Sequence, residues 1–393
     1  MDIPVKSSTA QAFIDAERCI AELQRGRAIA LTEPSYGSQI TSDACHIVQL
    51  VETLRESDLT ALIAQHDCVL VLSRPRARAL NLIVDNNAIC LQLEADIPAQ
   101  MIYNWAGLNP RSHTRSDGLV SLHPGGGSQA TTPDLSTRKN RDPDKLQQAQ
   151  AALNLAHHAH ALPAFIMYVA RTRPADMLSV STQLATDYID QSGKLMKLSS
   201  ARIPLATAKS VELTVFRERH GSAEHVAITV GQPDFSATVT VRIHSSCLTG
   251  DILGSMKCDC GEQLQRAISS MAESDGGVVL YVSQEGRGIG LASKLLAYQL
   301  QDQGLDTIEA NHHLGFESDE RCYQAAVFML DELGIDSVNL MTNNPLKIEA
   351  LRQQGVRVQS RVPSPATVNA HNARYLKTKR ERAGHMASCD TAG

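Results

Sequence analysis

Long apolar runs are missing from this chain of 393 residues. No stretch approaches the roughly 18 consecutive apolar residues that a membrane-spanning helix needs, so we expect no membrane partner. The first residues, MDIPVKSSTAQAFIDAERC, also lack the apolar centre of a secretion signal. We therefore expect a cytoplasmic protein. In the cytoplasm disulfides are rare, and clustered cysteines more often bind metal or take part in chemistry.

Charge of one sign is also scarce. The formal net charge is −5, and no acidic or basic block dominates the sequence. We expect no nucleic-acid partner, and any bound anion must be held by locally placed groups because the overall field is weak. Hydrophobic residues make up 43% of the chain, an ordinary composition for a globular protein, and the length suggests two domains.

No Gly/Ser-rich linker divides the two halves, so the domain limits come from the pattern of predicted elements. We predict a first domain over residues 1–203, a second over 204–380 and a flexible tail over 381–393. Strand and helix patterns alternate in both, which predicts the α/β (α+β) class, with each domain a mixed sheet flanked by helices. Within the first domain we predict a helix around 42–56 and a long loop over 106–145, which is rich in Gly, Pro and Ser.

Cysteine is used sparingly, yet three of the nine cysteines fall within CLTGDILGSMKCDC. Cys247, Cys258 and Cys260 have the spacing C-x10-C-x-C, in polar surroundings at a predicted helix start and with no fourth cysteine nearby. Three thiolates without a fourth partner fit a catalytic zinc, which keeps one position open for water. A structural zinc completed by a distant histidine, or no metal at all, remain alternatives. We expect the single cysteines to be buried as small apolar residues: Cys19, Cys45, Cys68, Cys90 and Cys322.

Two glycine- or asparagine-rich loops follow predicted strands. QEGRGIGL lacks the spacing of the dinucleotide fingerprint, but its backbone N–H groups and Arg287 favour an anion, unless it is a plain glycine turn. Glu285 could accept N–H bonds from a guanine edge. MTNNPLK predicts a helix that Asn343 and Asn344 cap and Pro345 starts. Lys347 in its first turn opposes the helix dipole, and a bound phosphate would relieve that; a plain capped helix is the alternative.

Two further positions have both a structural and a functional interpretation. ESDERCYQ (317–324) opens a predicted helix with acidic residues, so Ser318 or Asp319 could serve as its cap. The alternative is an Asp319–Arg321 pair held at a site. Tyr298, on the helix after the glycine turn, is either a core tyrosine or a hydroxyl directed at a substrate.

Six motifs together resemble one family. RIHSSCLTGD, KCDCGEQL, QEGRGIGL, QDQGLDTIEANHHLGF, SDER and TNNPLK follow the order and spacing of GTP cyclohydrolase II over roughly 205–380. The resemblance implies an enzyme that begins riboflavin synthesis by removing C8 of GTP as formate and releasing pyrophosphate, which leaves a diaminopyrimidinone ribosyl phosphate. It also implies one catalytic zinc per chain, magnesium on the triphosphate and a homodimer.

The resemblance also assigns roles by position. Zinc would activate water for attack on C8 and for hydrolysis of the resulting formamide. Tyr298 would assist proton movement near C8. Asp319 would orient or deprotonate Arg321, the nucleophile at the α-phosphate; because arginine is hard to deprotonate, Arg321 could instead be a cationic clamp. The implied zinc ligands are Cys247, Cys258 and Cys260. The residues implied to hold GTP are Arg242, Ile243, His244, Ser245, Ser246, Gln263, Glu285, Gly286, Arg287, Thr307, Thr342 and Lys347.

Two positions depart from the family pattern. Ser246 stands where the family usually has glutamate, which leaves its contact with substrate or magnesium open. Leu346 stands where a second lysine is common, so this loop carries less positive charge. Neither change affects the zinc ligands or the Asp319–Arg321 pair.

The first domain resembles 3,4-dihydroxy-2-butanone 4-phosphate synthase through GRAIAL, VLSRPRARAL, AALNLA and LPAFIMY. That synthase binds magnesium through a dense acidic run after its first strand, where this chain has TEPSYGSQI with Glu33 as its sole acid. Gln148 stands at the position of the catalytic histidine. Because a hard cation needs several oxygen ligands, we predict no synthase activity and a structural, dimerising or regulatory role.

Two other functions remain open from the sequence. One is a related GTP cyclohydrolase of another pathway, such as pyrimidine catabolism or secondary metabolism. The other is a non-catalytic GTP sensor, although a sensor would have no need to keep the three cysteines together with Tyr298, Asp319 and Arg321.

Overall fold

The computed structural model describes residues 8–33, 44–108, 135, 138–140, 142–191, 194–219, 223–382 and 384–386. The chain forms two compact units, one drawn from residues 1–190 and 292–319 and the other from 191–291 and 320–393. Each unit is built on a seven-stranded mixed sheet with flanking helices, which confirms the predicted fold class. Among the described residues, no helix has the length and apolar character needed to cross a membrane.

The elements alternate along the chain as the sequence patterns suggest. The strands are β1 (Ile29–Thr32), β2 (Cys45–Leu50), β3 (Val69–Ser73), β4 (Ala88–Gln92), β5 (Lys139–Asn140), β6 (Ala164–Ala170), β7 (Ser179–Ser181), β8 (Leu195–Arg202), β9 (Val211–Glu218), β10 (Glu224–Val230), β11 (Val239–Ser245), β12 (Gly277–Val282), β13 (Ser337–Met341) and β14 (Arg357–Val362). The helices are α1 (Ser8–Gln24), α2 (Glu56–Gln65), α3 (Arg74–Ala79), α4 (Ala99–Ala106), α5 (Pro143–Ala159), α6 (Thr182–Gln191), α7 (Cys260–Ala272), α8 (Gly290–Asp302), α9 (Thr307–Leu314), α10 (Gln324–Glu332), α11 (Pro345–Gln353) and α12 (Ala373–Glu381).

The sheet of the first unit has the strand order β5-β4-β3-β6-β2-β1-β7. Its neighbouring strands are antiparallel except β1 and β7, which are parallel. Alternate side chains of β3 enter two different apolar cores, because successive residues of a strand point to opposite faces. Val69 and Val71 belong to the core that includes α1 and α5. Leu70 and Leu72 belong to the core that includes α2 and α4.

The helix predicted around 42–56 is wrong. Residues 45–50 instead form β2, which pairs with both β1 and β6. The β-branched Ile47 and Val48 are buried on opposite faces of the sheet, and a strand buried on both faces has no clean alternation to distinguish it from a buried helix. Most of the loop predicted over 106–145 lies outside the described residues.

In the second unit the strand order is β14-β13-β11-β12-β10-β9-β8. The first four strands of that order are parallel, and β10, β9 and β8 are antiparallel to their neighbours. The carboxyl ends of parallel strands meet at one edge of a sheet, which is where open α/β sheets bind ligands. The loops after β11, β12 and β13 hold the cysteine, glycine and asparagine motifs, so the topology brings those motifs to this edge.

Strand β11 divides its side chains between two faces. Val241 and Ile243 enter the apolar core beside α10, whereas Arg242 and His244 alternate with them and are also buried. The opposite face carries α7, whose Leu264 and Ile268 form a second core. The two polar side chains are therefore directed to the α7 side of the sheet.

Two helix starts test the capping predictions. Helix α11 begins at Pro345 as expected, and the Asn344 side chain accepts the N–H of Leu346 at 3.0 Å. Helix α10 begins only at Gln324, so Ser318 and Asp319 do not cap it and that interpretation is wrong. The acidic residues of 317–320 thus lie in a loop, where helix-dipole arguments do not apply.

The single cysteines follow the prediction with one exception. Those confirmed as buried are Cys19, Cys45, Cys68 and Cys90. Cys322 is exposed, because it lies in the loop before α10 and not on a buried helix face.

Candidate metal and nucleotide site

Three thiols converge at the carboxyl edge of the second sheet. Cys247 lies two residues after the end of β11, Cys260 is the first residue of α7, and Cys258 lies two residues before Cys260. Their sulfur atoms all lie within 4.8 Å of one another, and the Sγ atoms of Cys247 and Cys258 are 3.8 Å apart. Two sulfurs at about 2.3 Å from a tetrahedral zinc would be separated by about 3.8 Å. The donor set and its spacing therefore fit a zinc ion held by all three.

The three thiols also affect one another's ionisation. A hydrogen bond with the Cys247 thiol, together with burial, raises the pKa of Cys258. The same causes, with the Cys258 thiol added, raise the pKa of Cys260 well above its ordinary value. Three neighbouring thiols thus resist ionisation in one another's presence. A bound divalent cation reverses this by stabilising the thiolates.

Gly250 allows the metal loop, by which we mean residues 247–260, to fold closely around the thiols. Its N–H donates to Cys247 Sγ at 3.3 Å. A Cβ atom at this position would lie 2.9 Å from Cys258 Sγ and 3.0 Å from Cys247 Sγ, which is closer than real Cβ contacts. The residues around it, Leu248–Ile252, form one π-helical turn, an irregularity that is frequent at functional sites. Only glycine fits here without displacing a thiol.

Asp251 fixes this loop to the sheet, and the sequence reasoning missed it. Its carboxylate accepts the backbone N–H of Cys247 at 2.9 Å and the hydroxyl of Tyr281 at 3.0 Å. The Nε2 atom of His244 lies 3.1 Å from the same carboxylate. Burial lowers the pKa of His244 although Asp251 acts in the opposite direction. Through its contact with the Asp251 carboxylate, His244 helps to hold the loop in place. An acid in the otherwise uncharged SSCLTGDIL is the signal that could have found Asp251.

A buried polar chain links the metal loop to Arg242. The Arg242 guanidinium donates to Ser364 Oγ at 2.9 Å and to Gln263 Oε1 at 2.7 Å. Gln263 in turn donates to Asp259 Oδ2 at 2.7 Å, and Lys379 Nζ donates to Asp259 Oδ1 at 2.8 Å. Arg242 and Gln263, both implied to hold GTP, are thus positioned through the residue between two thiols. Sequence reasoning missed Lys379, because nothing in the local sequence separates it from other basic residues of α12.

The glycine turn after β12 is strained and tied to the metal loop. Gly286 and Arg287 both have left-handed backbones, with φ of 64° and 67°, a conformation that is costly for a residue with a side chain. Glu285 accepts the N–H of Leu248 at 2.7 Å and that of Gly286 at 3.0 Å. A carboxylate has several acceptor sites, so one side chain can hold both backbone N–H groups.

The ends of β11 and β13 bring further predicted residues to the same edge. Lys347 is buried and its Nζ donates to the carbonyl of Ile243 at 3.0 Å, while the Ile243 side chain lies in the apolar core. Thr342 Oγ1 accepts the N–H of Asn344 at 3.0 Å. Ser245 Oγ accepts a bond from Gln284 at 3.1 Å. Ser246, beside Ser245, donates its N–H to the carbonyl of Val282 at 2.9 Å.

Positive charge gathers at this edge around His385. The N–H of the next residue, Met386, bonds the carbonyl of Asn343 at 2.9 Å, which brings this segment to the end of β13. Burial, followed by four cationic side chains, lowers the pKa of His385 to about 3. These cations are Lys379, Arg287, Arg321 and Lys347. A group of cations around a neutral histidine is an environment that attracts an anion.

Three of the predicted site residues belong to the first unit. Tyr298 lies on α8, where its ring centre is 5.8 Å from Lys294 Nζ. Thr307 is the first residue of α9, directly after the capping residue Asp306. Asp319 follows α9 in a loop. The other predicted residues belong to the second unit.

The first unit also contains the position that corresponds to the synthase histidine. Gln148 is buried, and its amide nitrogen donates to the Glu33 carboxylate. The Thr182 hydroxyl donates to the Gln148 carbonyl oxygen at 2.5 Å. Residues 34–43, which cover most of the segment compared with the synthase acidic run, lie outside the described residues. The side-chain amide of Gln148 is thus bonded through both its nitrogen and its oxygen.

Comparison with known proteins gives one consistent family. A family model described as GTP cyclohydrolase II matches residues 196–363. The chain is 38% identical to the GTP cyclohydrolase-2 of Azospirillum brasilense over 381 residues, which are 94% of this chain and 93% of that protein. It is 50% identical to a riboflavin biosynthesis protein of Endomicrobium trichonymphae over 175 residues, 44% of this chain and 43% of that protein. A solved two-domain 3,4-dihydroxy-2-butanone 4-phosphate synthase from A. baumannii covers 90% of this chain and 99% of its own, with 16% identity and a TM-score of 0.28, which does not establish a shared fold.

Proposed function

The chain belongs to the GTP cyclohydrolase II family, and we propose that it hydrolyses GTP to formate, pyrophosphate and a diaminopyrimidinone ribosyl phosphate. The observation that carries the proposal is the group of three thiols at the carboxyl edge of a parallel sheet. We propose riboflavin synthesis as its pathway, and the name of the Endomicrobium relative supports this.

Zinc is the cofactor that we propose for Cys247, Cys258 and Cys260. The number and spacing of the thiols support it. When bound, zinc supplies a Lewis acid that activates water at neutral pH, which ring opening at C8 requires. Asp251 and Gly250 hold the loop that presents the thiols. Tyr298 is proposed to move a proton near C8.

Recognition of guanine is assigned to Glu285. Its carboxylate is fixed by two backbone N–H groups, and an acidic oxygen is a suitable acceptor for the N–H groups of a base edge. Gln263 and Arg242 form a buried hydrogen-bonded pair beside the metal loop, which positions both side chains in advance. Such preorganisation lowers the cost of binding.

The triphosphate is assigned to the cations at the ends of β12 and β13. Lys347, Arg287 and Arg321 all act electrostatically on His385, so their charges converge on one part of the second unit. Thr342 lies beside Lys347, and its hydroxyl is oriented by Asn344. We propose magnesium on the triphosphate, since phosphates and carboxylates are its usual ligands. Arg321, oriented by Asp319, is proposed to act on the α-phosphate.

The test is direct. The zinc-loaded protein is incubated with GTP and magnesium, and formate, pyrophosphate and the pyrimidine product are each measured, together with zinc content. We expect all three products. Cys258→Ser should lose zinc and formate release together, whereas Cys322→Ser, a matched change at an exposed cysteine, should keep both. Tight GTP binding without products would favour a sensor and refute the proposal.

Other features of the family are carried forward as proposals. The tail predicted over 381–393 is described only at 381, 382 and 384–386, and Met386 there is bonded to Asn343. The remaining proposals are a homodimer, a cytoplasmic location, domain limits at 203 and 380, and a first domain without synthase activity. The bonded state of Gln148 supports the last of these. Size measurement in solution tests the dimer, and limited proteolysis tests the domain limits and the tail.

A further inference from the structure

The segment 307–319 is held by residues from the first 110 positions of the chain. This segment carries Thr307 and Asp319, both implied in GTP turnover, and it belongs to the first unit. Resting on the proposed function, we propose that Arg76 and Ser73 are positioning residues for the cyclohydrolase reaction, because they fix the end of α9 and the loop that leads to Asp319. The synthase-like motif VLSRPRARAL would then serve the cyclohydrolase.

Arg76 is the main connection. Its side chain is almost fully buried, with 1% exposed. The guanidinium donates to the carbonyls of Trp105 at 2.8 Å, Asn104 at 2.5 Å and His313 at 2.7 Å. These carbonyls lie in the last turns of α4 and α9, where the helix dipole is negative and favours a cation. One buried cation therefore joins the ends of two helices.

The energetics make this connection hard to loosen. Burial lowers the pKa of Arg76 to about 9, and a buried charge is tolerated only when its donors are satisfied. Its acceptors are backbone carbonyls, which cannot turn away as a side chain can. If the end of α9 moved, a guanidinium N–H of Arg76 would stay buried but lose its hydrogen-bond partner. This cost strongly constrains the position of His313.

Ser73 fixes the next turn of the chain. Its buried hydroxyl donates to the carbonyl of Gly315 at 2.5 Å and accepts the N–H of Arg76 at 3.4 Å. Arg74, between them, reaches Glu317 at 3.4 Å in a largely exposed ion pair that contributes little by itself. Residues 313, 315 and 317 thus each have a partner among residues 73–76.

Two glycines bring the backbones close enough for these bonds. A Cβ at Gly107 would lie 2.7 Å from the carbonyl oxygen of His313, and one at Gly315 would lie 3.0 Å from Ser73 Oγ. Both glycines also have left-handed φ values, 87° and 92°, which other residues rarely adopt. The chain at both glycines is therefore packed too closely against its neighbours to leave room for a side chain.

The segment fixed by Ser73 and Arg76 lies only a few residues from Asp319 and Arg321. Asp319 comes four residues after Gly315 and precedes Arg321 by two, so fixing 313–317 limits where the Asp319 carboxylate can lie. Small displacements of a positioned group cost catalysis heavily, about 100-fold for about 1 Å. A domain without synthase chemistry would thus be retained because it holds part of the cyclohydrolase machinery in place.

The experiment compares three full-length variants, each loaded with zinc: Ser73→Ala, Arg76→Lys and Tyr103→Phe. The last is a matched control, since the Tyr103 hydroxyl donates to the carbonyl of Leu54 at 2.9 Å in the same unit and makes no hydrogen bond to 307–319 among the described residues. We measure kcat and KM for GTP, zinc content, and hydrogen exchange of the 307–319 amides. Ser73→Ala and Arg76→Lys should lower kcat by about 10–100-fold with zinc content unchanged and faster exchange in 307–319, whereas Tyr103→Phe should change neither.

The outcomes separate this inference from the proposed function. If the wild-type protein releases no formate from GTP, the proposed function itself is refuted, and the inference falls with it. If wild type is active and Ser73→Ala keeps the kcat and exchange pattern of Tyr103→Phe, only the inference is overturned. If Arg76→Lys does not fold, the milder Ser73→Ala decides the question, because it removes one hydroxyl and no charge.

Discussion

Lys379 Nζ lies 2.8 Å from Asp259 Oδ1, and the two side chains are 13% and 2% exposed respectively. Lys379 comes from the C-terminal helix α12, whereas Asp259 stands between two of the thiols. Burial raises the pKa of Asp259, but the charge of Lys379 and its hydrogen bond act against burial and leave the net pKa below its ordinary value. Lys379 thus ties the last helix of the chain to the metal loop.

Replacing Lys379 with methionine should therefore weaken the metal loop. The change leaves a buried carboxylate without its cation, which typically costs about 3–5 kcal/mol of unfolding free energy. Loss of a partner that supports metal ligands typically lowers metal affinity about 10–100-fold. Urea unfolding measures the first effect, and zinc competition with a chelator measures the second.

Lys377→Met is the control for that prediction. Lys377 is on the same helix, 64% exposed, and lies 4.0 Å from Glu381, so its removal should change stability by no more than about 0.5 kcal/mol. A Lys379→Met protein that binds zinc as tightly as Lys377→Met would show that the pair does not support the metal loop.

Gly250→Ala should disturb the thiols directly. The new methyl group would lie 2.9 Å from Cys258 Sγ and 3.0 Å from Cys247 Sγ, so the sulfurs must move and the spacing suited to zinc is lost. We expect loss of zinc and of formate release from a protein that remains folded, measured by elemental analysis and the GTP assay.

Gly254→Ala, in the same loop, separates backbone strain from contact with the thiols. Gly254 has a φ of +64°, and a methyl group there would have no atom of the described residues within 4 Å. Alanine at this position should cost about 1–2 kcal/mol of strain while zinc binding is kept. Equal zinc loss in both variants would mean that loop conformation, and not contact with sulfur, governs the site.

Predictions from the sequence were most accurate where residues close together in the chain determine the structure. The fold class followed from alternating strands and helices, and the start of α11 followed from Asn344 and Pro345. The cluster of three cysteines could be recognised because cysteines that only fill a core are not expected to cluster in polar surroundings. Each of these predictions rests on residues close together in the chain.

The errors and omissions came from contacts distant in sequence. β2 was mistaken for a helix because it pairs with both β1 and β6 and is buried on both faces, which hides the alternation that marks a strand. Lys379 lies 120 positions from Asp259, and Arg76 lies 237 positions from His313. No local pattern distinguishes either cation from its exposed neighbours, so only the folded chain identifies them.

His158 should make the protein less stable in acid. Burial, followed by the charges of His157 and His160, lowers the pKa of His158 to about 4, and its Nε2 atom has no hydrogen-bond partner among the described residues. Below pH about 6.5 the unfolded chain takes up a proton at this histidine, whereas the folded protein does so only near pH 4. The unfolding free energy should therefore fall as the pH drops between these values, by at most about 1.4 kcal/mol per pH unit.

Urea unfolding of wild type and His158→Phe across that pH range measures this contribution. Phenylalanine keeps a ring against Tyr188, whose centre lies 5.0 Å from that of His158, but cannot take up a proton. The variant should show a shallower loss of stability in acid. Identical slopes would mean that His158 titrates alike in the folded and unfolded chain.

Gln148→His should not restore synthase activity. The substitution returns an acid–base group to the position, but Glu33 is the sole acid in TEPSYGSQI, and a hard cation needs several oxygen ligands. We expect neither wild type nor Gln148→His to form dihydroxybutanone phosphate from ribulose 5-phosphate and magnesium, with an authentic synthase assayed in parallel. The variant should also lose stability, because the buried amide that bonds both Glu33 and Thr182 is replaced by a ring of different shape. A robust yield from the wild-type protein would show that the first domain kept its chemistry through ligands other than the missing acidic run.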